Sequence, residues 1–366
     1  MGVGALLEIG KEISKLAPDE KIKILVISGK SSARKSGALQ ELRDVLSSHS
    51  LIFSEGILPN PDLQMTREQI DRARQEKIDL VIGIGGGSTL DVAKVVALVA
   101  SDDSSHLEEL LSGCRKINHR RKFLVAIPTT SGTASEVTPW STLWDWNKRR
   151  KFSLQDHGLF PDLAIVDPTL MVSLPRQTTA STGMDALSHA IESCWSVDRN
   201  PISTAMAHSA MTKIIEWLPV ACRQPKNLAA RSQMALASLM AGIAFSQTKT
   251  AAAHSISYAL TLYHNIPHGV ACSITLPALL ETNARGAPEV IQGILRVLGV
   301  KSVAGASKKL RNLMKEIGLH ACLRDYGIVK DDLTKLAQEG VYPERMKQNP
   351  VQLSEKQVLR ILEEVY

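Results

Sequence analysis

Asp185 and His189 stand four residues apart in the run GMDALSHAIE, which places both side chains on one face of a helix. His254 falls later, in a helix of small residues, and His268 follows a break at Pro267. One carboxylate and three imidazoles suit a divalent first-row metal, with room left for a substrate oxygen. By itself an Asp–His pair at this spacing is more often a surface hydrogen bond. Two further histidines in apolar, glycine-containing surroundings shift the balance to a ligand set. His157, His208 and His264 are read as non-ligands.

Two loops have the composition of phosphate cradles. Gly83-Ile84-Gly85-Gly86-Gly87-Ser88 follows a strand-like run and precedes a helix that begins near Thr89. Glycines let the backbone approach a phosphate, and a helix N-terminus presents unpaired N–H groups at its positive dipole end. Ser88 adds a hydroxyl or caps the helix. A glycine turn after a strand is often only a tight connection, but three consecutive glycines favour a pyrophosphate site. Pro128-Thr129-Thr130-Ser131-Gly132-Thr133 comes straight after FLVAI, at a strand's carboxyl end, where open α/β sheets bind ligands. Alone it reads equally as a polar turn with a helix cap; the two loops reinforce each other.

The elements that must position these residues alternate in the first half. Residues 22–28 (IKILVIS), 51–53, 80–84 (LVIGI), 123–127 and 163–166 read as strands. Helical patterns run through Leu39, Leu42 and Leu46, over 67–75 and over 91–100. Such alternation predicts a parallel Rossmann-like sheet with helices on its faces. After about residue 170 the texture becomes helical throughout, at 183–195, 203–218, 229–244, 250–262, 302–317 and 355–365. The expected organisation is an α/β dinucleotide-binding domain over residues 1–170, followed by an all-α metal-binding and substrate domain over 171–366.

Composition narrows the classes. At 366 residues the chain can bury a large core, and 44% hydrophobic with 22% charged residues is ordinary for a soluble globular protein. Aromatics make up only 4%, which argues against base-stacking surfaces, and no nucleic-acid partner is expected. The net charge of +6 includes clusters at Arg120, Arg121, Lys122 and at Lys148, Arg149, Arg150, Lys151, read as solvated turns. The five cysteines are odd in number, widely spaced and form no CxxC pair. Neither a disulfide framework nor a zinc knuckle is suggested, and a reducing compartment fits best. With no signal-peptide pattern and no apolar run of about 18 residues, a cytoplasmic protein without a membrane partner is expected.

The sequence resembles the iron-containing (group III) alcohol dehydrogenase family. GGGSTLDVAK, IPTTSGTASEVT, GMDALSHAIE, AGIAFS with His254 eight residues on, PHG at 267–269 and the Asn349-Pro350 segment match in order along nearly the whole chain. The resemblance implies the dehydroquinate synthase-like fold and interconversion of an aldehyde and a primary alcohol. It implies Asp185, His189, His254 and His268 as ligands of Fe²⁺, with Zn²⁺ the alternative. Gly86, Gly87 and Ser88 would hold the pyrophosphate of NADPH or NADH. Thr129, Thr130 and Thr133 would lie beside the nicotinamide and phosphates, Lys151 beside the nicotinamide ribose, and a homodimer is the expected assembly.

The chain departs from the family pattern at several positions. Tyr258 stands where many members carry a second histidine associated with proton relay, so its hydroxyl is a candidate substitute. Gly29 falls where an aspartate often repels a ribose 2′-phosphate, and Lys30, Ser31, Ser32 and Arg34 lie nearby, so NADPH is expected to be accepted. The chain starts at GVGALLEI, with the usual leading strand shortened or missing. Ser246-Gln247-Thr248-Lys249-Thr250-Ala251 replaces a small, glycine-bearing stretch and puts Lys249 five residues before His254. With HSISYALT and ESCWSVDRNP, this resembles the phosphonoacetaldehyde reductase branch, which makes 2-hydroxyethylphosphonate. Lys249 would then hold the phosphonate of a small anionic aldehyde; its bland reading is a surface lysine at a helix end. A broad short-chain alcohol dehydrogenase, a sulfoacetaldehyde reductase, a dehydroquinate synthase-like lyase and a non-enzymatic scaffold are the alternatives.

Overall fold

The computed structural model describes residues 1–17, 21–101, 106–115 and 121–366; Arg120 of the first basic cluster lies outside them. Packing divides the chain into two compact units, Met1–Thr130 with Ala134–Leu174, and Ser131–Thr133 with Pro175–Tyr366.

The first unit is built on a parallel sheet of β1 (Lys23–Gly29), β2 (Ser50–Ile57), β3 (Leu80–Gly85), β4 (Phe123–Pro128) and the short β7 (Leu163–Ala164), in the order β2-β1-β3-β4-β7. Ile24, Leu25, Val26 and Ile27 are all buried, as expected of a strand covered on both faces. Alternation then sorts the residues into two cores. Ile24, Val26, Ile82 and Val125 pack with Ile9 and Ile13 of α1 (Ile9–Leu16) and Leu39 and Leu42 of α2 (Ala38–Val45). Leu25, Ile27, Val81 and Leu124 pack with Ile70 of α3 (Leu63–Gln75) and Val92 and Val96 of α4 (Gly87–Val99).

This strand order reverses direction between β1 and β3, so their carboxyl ends flank a topological switch point, the usual ligand crevice of such sheets. Gly29 closes β1 there, and the glycine run closes β3 and opens α4.

A two-stranded antiparallel hairpin, β5 (Trp140–Asp145) and β6 (Arg150–Gln155), was not expected from the sequence. It corrects the reading of the second basic cluster. Lys148 and Arg149 sit in the turn, but Arg150 and Lys151 belong to β6. The buried Lys94 of α4 ties the approach to this hairpin, donating from Nζ to the carbonyls of Thr138 and Trp140, each at 2.8 Å, and to Thr138 Oγ1 at 3.1 Å. Asp91, one turn earlier, accepts from Ser135 Oγ at 2.6 Å and Thr142 N at 2.8 Å.

The second unit is helical: α5 (Arg176–Trp195), α6 (Pro201–Arg223), α7 (Leu228–Thr248), α8 (Ala252–His264), α9 (His268–Ile274), α10 (Leu276–Gly286), α11 (Pro288–Val297), α12 (Val303–Glu316), α13 (Asp332–Glu339) and α14 (Glu355–Glu364). By length and composition α7 is apolar enough to cross a membrane, against the expectation that no such segment exists. In the fold its Ala230, Met234, Ala237, Ala241 and Ala244 belong to the helical core. Arg231, only 2% exposed, is satisfied there by Thr179 Oγ1 at 2.8 Å and the Pro225 carbonyl at 2.9 Å.

Candidate metal centre and cofactor loops

α5 carries three acidic or imidazole side chains on one face, Asp185, His189 and Glu192, at intervals of four and three. All are buried. His254 lies in the first turn of α8, and His268 opens α9 just after Pro267. A Cβ added at Gly269 would lie 1.9 Å from the Ser181 carbonyl, so only glycine lets α9 begin this close to α5. That contact aims His268 at Asp185.

One carboxylate oxygen is the focus. Asp185 Oδ1 is 3.6 Å from His254 Nε2, 3.9 Å from His268 Nε2 and 4.0 Å from His189 Nδ1. The structure therefore brings together all four ligands implied by the sequence. Their rings interlock: His189 stacks between Phe245 at 4.1 Å and His254 at 4.5 Å, and His268 meets His254 edge-on at 5.5 Å. His264 instead approaches Asp332 at 3.5 Å, His157 packs on Phe160 and His208 lies against Gly293, away from the cluster.

Asp185 Oδ1, His189 Nδ1 and His254 Nε2 are buried and make no hydrogen bond. Buried polar atoms are almost always paired, and three orphans converging on one point are what a cation would satisfy. The donor set fits a divalent metal.

At Asp185 and His189 the charge states suit metal ligands. Burial would raise Asp185, but His189, His254 and His268 hold it well below the usual carboxylate range. Burial pushes His189, stacked on Phe245, down to about 3, leaving a neutral imidazole with a lone pair to give. His254 runs the other way. Burial lowers it, yet Cys272, Glu192 and Asp185 together raise it well above its ordinary value. Glu192 also holds the ring in place: its carboxylate accepts from His254 Nδ1 at 2.5 Å, from Ala253 N at 2.6 Å and from Ala251 N at 2.9 Å. With Nδ1 bound to a carboxylate, Nε2 is the nitrogen turned to Asp185, the arrangement that orients metal-bound imidazoles.

Two members of this centre escaped the sequence reading. Glu192 lies on the Asp185–His189 face at the next helical interval, a signal that was available. Cys272, fully buried and one turn beyond His268, joins Asp185, His254 and His268 in a group whose donor atoms all lie within 4.8 Å of one another. Burial would raise its thiol, but His254 and His268 bring it down to about 7.

Lys249 caps α7 with φ 59° and ψ 177°, a backbone conformation that essentially only glycine adopts. It is half-buried, and among the described residues no carboxylate pairs with it. Tyr258 follows His254 by one turn, buried, its ring edge-on to Tyr342 at 5.3 Å.

In the first unit the glycines have distinct reasons. A Cβ at Gly83 would lie 2.6 Å from that of Ala93, and one at Gly85 would lie 2.5 Å from Thr89 Oγ1, so strand and helix meet too closely for side chains. Gly86 is the N-cap of α4 and Gly87 its first residue. Ser88 Oγ accepts from Asn60 N at 3.1 Å, so it does not cap the helix. Thr129 N donates to the Gly85 carbonyl at 2.8 Å, while its buried Oγ1 has no partner. Thr130 faces Gly86, at 3.4 Å from a Cβ placed there. An N-terminal helix end, a bare glycine edge and an orphaned hydroxyl fit a pyrophosphate. Thr133 packs with the second unit, and Lys151 Nζ lies 6.0 Å from the Trp144 ring centre. Arg34, largely exposed, meets both carboxylate oxygens of Glu55 at 2.9 Å, a surface ion pair beside the end of β1.

The iron-containing alcohol dehydrogenase description matches residues 1–168, and that of the C-terminal part of the Fe-containing alcohol dehydrogenase family matches residues 179–366. The chain is 31% identical over 376 residues to 1,3-propanediol dehydrogenase of Klebsiella pneumoniae, covering 100% of this chain and 96% of that protein. It is 32% identical over 378 residues to long-chain-alcohol dehydrogenase 1 of Geobacillus thermodenitrificans, with 100% and 94% covered. The structure of sulfoacetaldehyde reductase from Bifidobacterium kashiwanohense in complex with NAD⁺ superposes with a TM-score of 0.92 at 32% identity, over 100% of this chain and 95% of that one. The two family descriptions together match nearly the whole chain, relatives above 30% identity match it over its full length, and the chain belongs to the iron-containing alcohol dehydrogenase family.

Proposed function

We propose that this oxidoreductase uses a nicotinamide cofactor to reduce a small anionic aldehyde to its primary alcohol, phosphonoacetaldehyde to 2-hydroxyethylphosphonate first among them. The observation that carries the substrate class is Lys249. A non-glycine residue at φ 59°, ψ 177° costs on the order of 1–3 kcal/mol. Lys249 directly precedes the helix that bears His254, and its ammonium is the group we assign to the anionic end of the substrate.

When bound, a divalent metal polarises the aldehyde oxygen and the nicotinamide supplies the hydride. Asp185, His189, His254 and His268 are the residues to hold that metal, with Glu192 fixing His254 through Nδ1. Gly29, Gly86, Gly87, Ser88, Thr129 and Thr130 are the dinucleotide residues of the first unit, and Thr133 and Lys151 keep the roles that the family resemblance gives them. Lys249 anchors the phosphonate through a charge-assisted hydrogen bond, so the carbonyl is presented at a fixed reach. Tyr258 is assigned the proton hand-over to the product oxygen through its hydroxyl.

Sulfoacetaldehyde is the second reading. Its sulfonate offers the same oxygens to an ammonium, and the likeness to the Bifidobacterium kashiwanohense enzyme favours it. The test is kcat/KM for phosphonoacetaldehyde, sulfoacetaldehyde and propanal with NADH and NADPH, on the wild type and Lys249→Met. Deleting the charge removes about 1.5–3 kcal/mol, roughly ten- to a hundredfold, for anionic aldehydes only. An equal loss for propanal makes Lys249 structural, and no loss for any substrate removes it from the site.

A further inference from the structure

Lys249 holds a backbone conformation that residues other than glycine avoid, and such strain persists only where the surroundings fix the chain on both sides. The fixing groups come from the end of α5. Before Lys249, the fully buried Ser196 that caps α5 donates from Oγ to the Thr248 carbonyl at 2.8 Å and accepts from Asp198 N at 3.2 Å. Thr248, equally buried, donates from Oγ1 to Ser193 Oγ at 3.1 Å, and Ser193 donates onward to the His189 carbonyl at 2.8 Å. After Lys249, Ala251 N donates to Glu192 Oε2 at 2.9 Å, the oxygen that also takes His254 Nδ1. The chain on each side of Lys249 is thus tied to the helix that carries Asp185 and His189.

We propose that Ser196 is a positioning residue for substrate choice: by holding the Thr248 carbonyl it keeps Lys249 in its glycine-like turn, with the ammonium aimed at the anionic end of the aldehyde. The proposal rests on the reading that Lys249 binds that anion. Without the Ser196 bond the Thr248 peptide is free to rotate, and the chain at 249 relaxes towards an ordinary φ. The side chain then leaves Cα in another direction, and a flexible four-carbon stem carries the error to the charge. Ser196 acts only through Lys249, so its loss matters to a substrate that uses the ammonium and not to one that does not.

The test is the ratio of kcat/KM for an anionic aldehyde to kcat/KM for propanal, in the full-length enzyme. The anionic probe is whichever of phosphonoacetaldehyde and sulfoacetaldehyde the wild type turns over faster. The variants are Ser196→Ala, Lys249→Met and the two combined, with circular dichroism to check the fold. Losing one buried hydrogen bond should lower the ratio about three- to tenfold in Ser196→Ala, less than in Lys249→Met. The change should lie in KM for the anionic aldehyde, because an anchoring contact contributes to binding. Adding Ser196→Ala to Lys249→Met should change the ratio no further, since the two act as one unit. Thr248→Val is the second variant: it removes the bond to Ser193, which keeps its own bond to the His189 carbonyl, and it carries the test if Ser196→Ala does not fold. A ratio that falls in Lys249→Met but holds in Ser196→Ala and Thr248→Val overturns the positioning role and leaves Lys249 at the substrate. A further fall in the combined variant shows that Ser196 acts by another route and overturns it too. An unchanged ratio in Lys249→Met overturns both readings.

Discussion

Glu192→Gln is the sharpest perturbation that the centre allows, because it changes one atom and no shape. The carboxylate accepts three N–H groups, those of Ala251, Ala253 and His254 Nδ1, with two on Oε2 and one on Oε1. A glutamine has one acceptor oxygen. It would keep that oxygen towards Ala251 and His254, and its amide nitrogen would then face the Ala253 N–H donor to donor. Losing a bond to a charged acceptor and leaving a buried donor unmet costs about 1.5–3 kcal/mol. The carboxylate charge that makes His254 a strong donor is lost as well. At about 1.4 kcal/mol per factor of ten, zinc affinity should weaken roughly ten- to a hundredfold, the range seen when outer-shell partners of metal-bound histidines are removed. Competition against a chromophoric chelator reads the affinity, and circular dichroism checks the fold. An intact variant with wild-type affinity refutes the reasoning. Equal destabilisation of the metal-free and loaded forms, with no change in affinity, would mean that Glu192 only secures the start of α8.

Gly269→Ala places a methyl group 1.9 Å from the Ser181 carbonyl. Overpacking of this kind costs about 1–3 kcal/mol, and the shift of α9 should empty the centre, so metal content and melting temperature should both fall. Lys249→Gly should do the opposite for stability, raising it by about 1 kcal/mol after the entropy of glycine is discounted, while anionic-aldehyde turnover falls. A lower melting temperature would show that no strain is stored there. Burial lifts the Glu136 carboxyl from 4.5 to about 7. The folded state therefore holds this proton more tightly than the unfolded one, and the stability gained is complete below the lower value and lost as pH rises through the upper. Unfolding free energy should fall by on the order of 3 kcal/mol between about pH 4.5 and 8, and Glu136→Gln should flatten that slope. A slope unchanged in the variant would locate the titration elsewhere.

What the sequence disclosed was whatever has a period. The continuous apolar run of β1 announces a strand covered on both faces, and Asp185 with His189 announces a helical face. Glu192 continues that face, yet nothing in its spacing says that its partner is a ring 62 residues on. Cys272 was passed over because a lone cysteine carries no spacing signal, and its companions are His268 on its own helix and a carboxylate and an imidazole from two others. The pairing of Arg34 with Glu55 was hidden as well, because Glu55 reaches it from the neighbouring strand β2. The β5–β6 hairpin carries a charged turn, whose composition signals solvent more strongly than the short strands signal pairing. The glycine conformation of Lys249 is a property of the backbone between two helices and has no signature in residue type.

Ser131, Gly132 and Thr133 pack with the helical unit, although the chain on either side of them belongs to the sheet unit. Gly132 sits where a Cβ would lie 2.7 Å from that of Thr182 on α5, three residues before Asp185. The two units are therefore not interchangeable cassettes. A chimaera joined after Leu174 inherits a loop from one parent and the helix it must fit from the other, so recombination between relatives is compatible only where residues 131–133 and 182 travel together. Expressed alone, residues 175–366 would lack a piece of their own packing, and a short peptide spanning 131–133 is what such a fragment would need restored.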